Sequence, residues 1–75
     1  MPDKEWQDRV KNIVKAELKR RGISYQQLSE RLAEMGVHET EKNIRQKLSR
    51  GGFSATFFVQ ALVAAGCQSP RLDDD

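Results

Sequence analysis

The sequence predicts a small all-α domain of four helices, with room for a fifth short turn. Three observations predict it. Apolar residues recur at three- and four-residue spacing, Ser or Thr heads each segment after the first, and glycine closes every segment. The closing glycines are Gly22, Gly36, the pair Gly51-Gly52, and Gly66.

The first helix is expected to start near Asp3 or Lys4. Trp6, Val10, Ile13, Val14 and Leu18 form its apolar stripe, and Lys19, Arg20 and Arg21 sit in its last turn, where cations complement the helix dipole. The second has the strongest start signal. Ser24 and Gln27 have the spacing of a capping box, Ile23 and Leu28 that of a hydrophobic staple, and Tyr25, Leu28, Leu32 and Met35 form its stripe. The third is expected from about Thr40, its N-cap, to Arg50, with Ile44 and Leu48 as its only apolar anchors. The fourth starts at Ser54, with Phe53 and Phe58 in staple positions, and runs to Ala65.

This last helix is apolar nearly all round, because no charged side chain occurs between Gly51 and Pro70. A chain of 75 residues has too little protein to wrap such a helix completely. The expectation is a homodimer seam or partner contact through Phe57, Phe58, Val59, Leu62 and Val63, and the alternative is a buried core helix with a few apolar residues left exposed. A single domain therefore spans residues 1–67, followed by a disordered acidic tail over residues 68–75 that ends in Asp73-Asp74-Asp75.

Composition narrows the function. The single cysteine, Cys67, excludes an internal disulfide, and with one histidine, His38, it cannot supply the four ligands of a zinc site. Cys67 reads as a small hydrophobe packed at a helix end, and His38 as a solvated or capping residue in the loop before the third helix. Ser and Thr fall in capping positions and the carboxylates on helix surfaces, so no catalytic set, cofactor site or small-molecule pocket is expected. The polar N-terminal segment leads into no apolar run long enough for a signal peptide or membrane span, which reads as cytoplasmic. Charge is unevenly spread. Residues 9–50 hold 11 Lys and Arg against 5 Asp and Glu, an excess of six positive charges, whereas the remainder is acidic. A basic body favours a polyanionic partner.

The third helix, Thr40 to Arg50, concentrates the side chains that read nucleic acid. With Ile44 and Leu48 facing inward, the opposite face collects Lys42, Gln46 and Arg50, flanked by Asn43, Arg45, Lys47 and Ser49. Arg and Lys reach phosphates or the guanine edge, and Asn and Gln pair bidentately with adenine in the major groove.

In order, Leu18-Lys19-Arg20-Arg21-Gly22-Ile23-Ser24-Tyr25-Gln26-Gln27-Leu28-Ser29-Glu30-Arg31-Leu32, then Ile44, Leu48-Ser49-Arg50-Gly51, and Phe58, Leu62, Val63 and Gly66, resemble the helix-turn-helix domains of the Cro and lambda-repressor-like class. The whole chain, with Trp6, the run from Arg50 to Phe58 and the Ala61-to-Gly66 ending, is also similar to a small bacterial family of unknown function built on that pattern. The first resemblance implies a lambda-repressor-like fold and a transcriptional regulator that binds double-stranded DNA as a homodimer. Gln26 and Gln27 would then approach the phosphates, and Lys42, Asn43, Arg45, Gln46 and Arg50 the groove. Two departures stand out: Ser29 replaces the small Ala of the pattern, and residues 33–39 lengthen the link before the third helix by about a turn. The alternative is a protein-interaction or assembly module, favoured by the apolar fourth helix, the stretched link and the acidic tail.

Overall fold

The computed structural model describes residues 3–67, in which four helices follow one another: α1 (Asp3–Arg21), α2 (Tyr25–Glu34), α3 (Glu41–Arg50) and α4 (Ala55–Ala64). No strand occurs among the described residues. The acidic tail expected over residues 68–75 lies outside them.

The capping residues are those the spacing predicts. Ser24, Thr40 and Ser54 stand in extended backbone, and each hydroxyl accepts from the backbone N–H three residues on, at 3.1 Å. At Ser24 the box closes, because its own N–H donates to Gln27 Oε1 at 2.8 Å. Each cap contributes about 1 kcal/mol. The helix exits are equally regular. After α1, α2 and α4 the N–H groups of Ile23, Val37 and Cys67 donate to the carbonyls of Leu18, Leu32 and Leu62 at 2.9 Å, closing Schellman motifs. Ile23 and Cys67 are buried and Val37 packs against the core, so each exit also directs an apolar side chain inward.

The helices pack in the ring order α1, α3, α2, α4, with α4 returning to α1. Among the described residues, the backbone of α1 does not approach that of α2, nor α3 that of α4. Val14, Leu28, Leu32, Ile44 and Leu48 fill the centre, each at 1% exposure or less. Burial of each such side chain contributes about 1.5–3 kcal/mol. Phe57, Ala61 and Ala64 close the core from α4.

Two stripe residues fall outside the core. Trp6 is half exposed, because α1 at 19 residues is about 28 Å long and outruns helices of ten residues, about 15 Å each. The Arg9 guanidinium lies over its ring, 5.5 Å from the centroid. Met35 is exposed because it is the C-cap of α2: the helical period stops there, and Val37 takes the inward place.

Contacts of α1 fix the end of α3 and neutralise a buried carboxylate of its own. Gly51, with φ +80°, ends α3 hard against the backbone of α1; a Cβ there would stand 2.7 Å from the Gln7 carbonyl oxygen. Beside it, Lys11 Nζ donates to the Ser49 carbonyl at 3.2 Å, placing a cation at the negative end of the α3 dipole. Further along α1, Glu17 is buried at 4% exposure. Arg20 Nη2 approaches one of its oxygens to 2.6 Å, and Arg21 Nε the other to 3.4 Å. The hydrogen bond from Arg20 outweighs the effect of burial and, helped by the two guanidinium charges, holds the carboxyl below its ordinary value. At the exit of α4, Arg31 Nη1 donates to the Ala64 carbonyl at 3.3 Å.

Two stability predictions follow from these contacts. Gly51→Ala combines left-handed strain of about 1–2 kcal/mol with a collision that the Gln7 backbone cannot relieve. Gly22→Ala carries the strain alone, since at φ +67° nothing lies within 4 Å of the added carbon. Urea unfolding should show Gly51→Ala losing at least about 1 kcal/mol more than Gly22→Ala; equal losses would refute the close approach. For Glu17, the unfolded chain binds the proton more tightly than the folded chain. Its contribution is therefore present above the ordinary glutamate value of 4.5 and is lost as pH falls below it. Glu17→Gln should lower stability at neutral pH and flatten the acid limb of the stability–pH curve, measured by urea unfolding across that range.

Candidate nucleic-acid interface

The outer face of α3 is held rigidly from behind. Ile44 and Leu48 have no exposed surface, Thr40 caps the start, and Gly51 and Lys11 fix the end. The link between α2 and α3, residues 35–40, is tied as well, because Ser29 Oγ donates to the Glu39 carbonyl at 2.6 Å. The Ser29 hydroxyl thus gives this connection a tether that a methyl group could not supply.

Seven residues were expected to meet DNA, and all seven are exposed. They divide by what else they do. Gln27 spends its side-chain oxygen on the capping box. Arg45 pairs with Glu41 at 2.6 Å and lies over the Tyr25 ring, 6.0 Å from its centroid, which pins it to its own helix and to α2. Lys42, Asn43, Gln46 and Arg50 have side chains without a hydrogen-bond or ion-pair partner among the described residues, as does Gln26 on α2.

The structure brings Asn43, Gln46 and Arg50 to one side of α3, where they line a groove of about 610 Å³ with His38, Glu39, Lys47, Gly52 and Phe53. Lys42 and the two α2 glutamines do not line it. Lys47 is half-buried, 3.8 Å from Glu39 Oε2 and 5.2 Å from the centre of the Phe57 ring, so it forms a fixed cationic part of the wall. No pocket was expected from the sequence. Helical spacing shows one face of one helix, whereas this groove needs the loops on both sides of α3. The long link before α3 was the available signal.

The expected contact face of α4 is narrower than its composition suggested. Phe57 and Leu62 are buried in the chain's own core, at 3% and 4% exposure, and cannot also meet a second molecule. Phe58 is half-buried against the same core. Only Val59 and Val63, at 56% and 54% exposure and one helical turn apart, face outward. The correction has a simple cause: the helix serves two neighbours, α1 and α2, and these take up most of its apolar surface.

Among the described residues no three His, Cys, Asp or Glu side chains gather as metal ligands, and no helix is long and apolar enough to cross a membrane. The family model for a domain of unknown function, DUF6471, matches residues 6–70, and the chain belongs to that family. Neither the curated proteins nor the solved structures contain a match.

Proposed function

We propose that this family member is a DNA-binding module of the helix-turn-helix kind, acting as a homodimeric transcriptional regulator. One observation carries the reading: α3 is anchored on its inner side, while Lys42, Asn43, Gln46 and Arg50 are exposed, with side chains that have no partner among the described residues. Two cations and two amides on one fixed helix face are the chemistry of phosphate contact and base-edge readout. The likeness of residues 18–67 to the Cro and lambda-repressor class supports the same reading.

In this arrangement α3 lies in the major groove and α2 crosses the backbone, with Gln26 near a phosphate. Gln27 contributes through the capping box, which orders the α2 N-terminus. Val59 and Val63 form the apolar centre of a two-fold contact, and two half-sites stand about 34 Å apart on the duplex.

Exposure of Val59 and Val63 equally favours a second reading, in which α4 docks a different protein and α3 reads nothing. Two experiments separate them. Fluorescence anisotropy with random-sequence duplex DNA should show affinity falling steeply as salt rises, and a loss of more than about tenfold in Lys42→Glu/Arg50→Glu. Absence of binding at low salt would remove the DNA reading. Sedimentation of the natural chain should show a dimer that Val59→Asp converts to monomer while the helical circular-dichroism spectrum is retained, since Val59 is exposed. A natural chain that sediments as a monomer would remove the homodimer.

A further inference from the structure

We propose that the groove beside α3 is a binding site for a free nucleoside monophosphate, with adenosine monophosphate as the fitting representative. This goes beyond duplex recognition, and it does not depend on it. The groove, at about 610 Å³, falls within the size range of small-molecule sites, about 300–1,000 Å³. Its walls supply three kinds of contact that such a nucleotide needs.

Phe53 supplies an aromatic wall. It is half-buried as the staple of α4 and is held in place by an edge contact to Phe57, with ring centroids 5.2 Å apart and planes at 73°. A base stacking on a ring already fixed in this way loses little freedom on the protein side. Asn43 and Gln46, three residues apart on α3, supply two amides on neighbouring positions of one helix face. Neither side chain has a hydrogen-bond partner among the described residues, and each presents a donor and an acceptor that match the adenine edge. Arg50 and Lys47 supply positive charge against the single carboxylate of Glu39, leaving the lining cationic. Arg50 has no ion-pair partner among the described residues and is the group that meets the phosphate.

One feature opposes an anion here, because Arg50 stands at the negative end of the α3 dipole. A contact already described weakens that field: the Lys11 ammonium donates to the Ser49 carbonyl. Since Asn43, Gln46 and Arg50 also belong to the proposed duplex-reading face, a bound nucleotide and a bound duplex exclude one another.

The test is an NMR titration of the ¹⁵N-labelled chain with adenosine monophosphate, adenosine and inorganic phosphate as separate probes. Saturable shifts at the amides of Glu39, Asn43, Gln46 and Gly52 are expected with adenosine monophosphate, and binding at least about tenfold weaker with either fragment. Arg50→Gln, a surface change, should weaken the monophosphate about tenfold while leaving adenosine unchanged. Phe53→Leu should weaken both. No saturable shift at millimolar nucleotide overturns the site, as does phosphate binding as well as the nucleotide, or shifts confined to other helices. A short oligodeoxyadenylate that binds more than about tenfold tighter than the monophosphate would assign the groove to a strand and overturn the free ligand. Nucleotide saturation without any duplex binding would uphold the site and remove the function proposed above.

Discussion

The place where α3 meets α1 governs this molecule. α3 has only two apolar anchors, too few to fix both its tilt and its position along its axis. The remaining constraint comes from backbone. Gly51 lies against the Gln7 carbonyl at a distance no side chain could share, and Lys11 donates to the Ser49 carbonyl beside it. The outward face of α3 is thus aimed by a contact on its far end. If α3 reads a partner as proposed, that aim matters, because a misplacement of about 1 Å degrades hydrogen-bond geometry throughout such a face.

The same contacts change how the charge excess should be read. Several of the basic side chains in residues 9–50 are engaged within the chain. Lys11 caps α3, Arg20 and Arg21 hold the buried Glu17, Arg31 caps α4, and Arg45 pairs with Glu41. A good part of the positive charge therefore closes helix ends and neutralises a buried carboxylate. Four exposed cations of this stretch stand without a partner among the described residues, Lys15 and Lys19 on α1 and Lys42 and Arg50 on α3, and only the last two share a helix face with Asn43 and Gln46. The electrostatic argument for a polyanion rests on those positions more than on net charge.

Local structure was legible in the sequence to within a residue or so. Ser24, Thr40 and Ser54 cap where their spacing placed them, and the glycines turn where the periodic segments stop. Such signals act within a few residues and depend little on the rest of the fold. Trp6 and Met35 were misplaced because periodicity says which face a residue shares, but not how far the covering helices extend. Phe57 and Leu62 were assigned to a partner for a related reason. Apolar character all round a helix does not reveal how many neighbours the chain itself supplies. The groove was missed because it is assembled from α3 and the loops on both sides of it, with only the long link as a signal, and Glu17 because a buried acid has the same spacing signature as a surface one. The seven exposed candidates on α2 and α3 were readable from type and spacing, but their separate duties, capping for Gln27 and pairing for Arg45, required the geometry.

The ring order of the helices bears on how the chain acquires its shape as it is made. Helices adjacent in sequence at the start, α1 and α2, do not pair, so the first half has no helical hairpin to form early. The stripe of Ile13, Val14 and Leu18 lies on a helix whose helical neighbours are α3 and α4, and both are synthesised after α2. A nascent chain therefore carries an uncovered apolar strip on α1 until α4 emerges, which places the burden of avoiding early aggregation on the lysines and arginines that flank that strip.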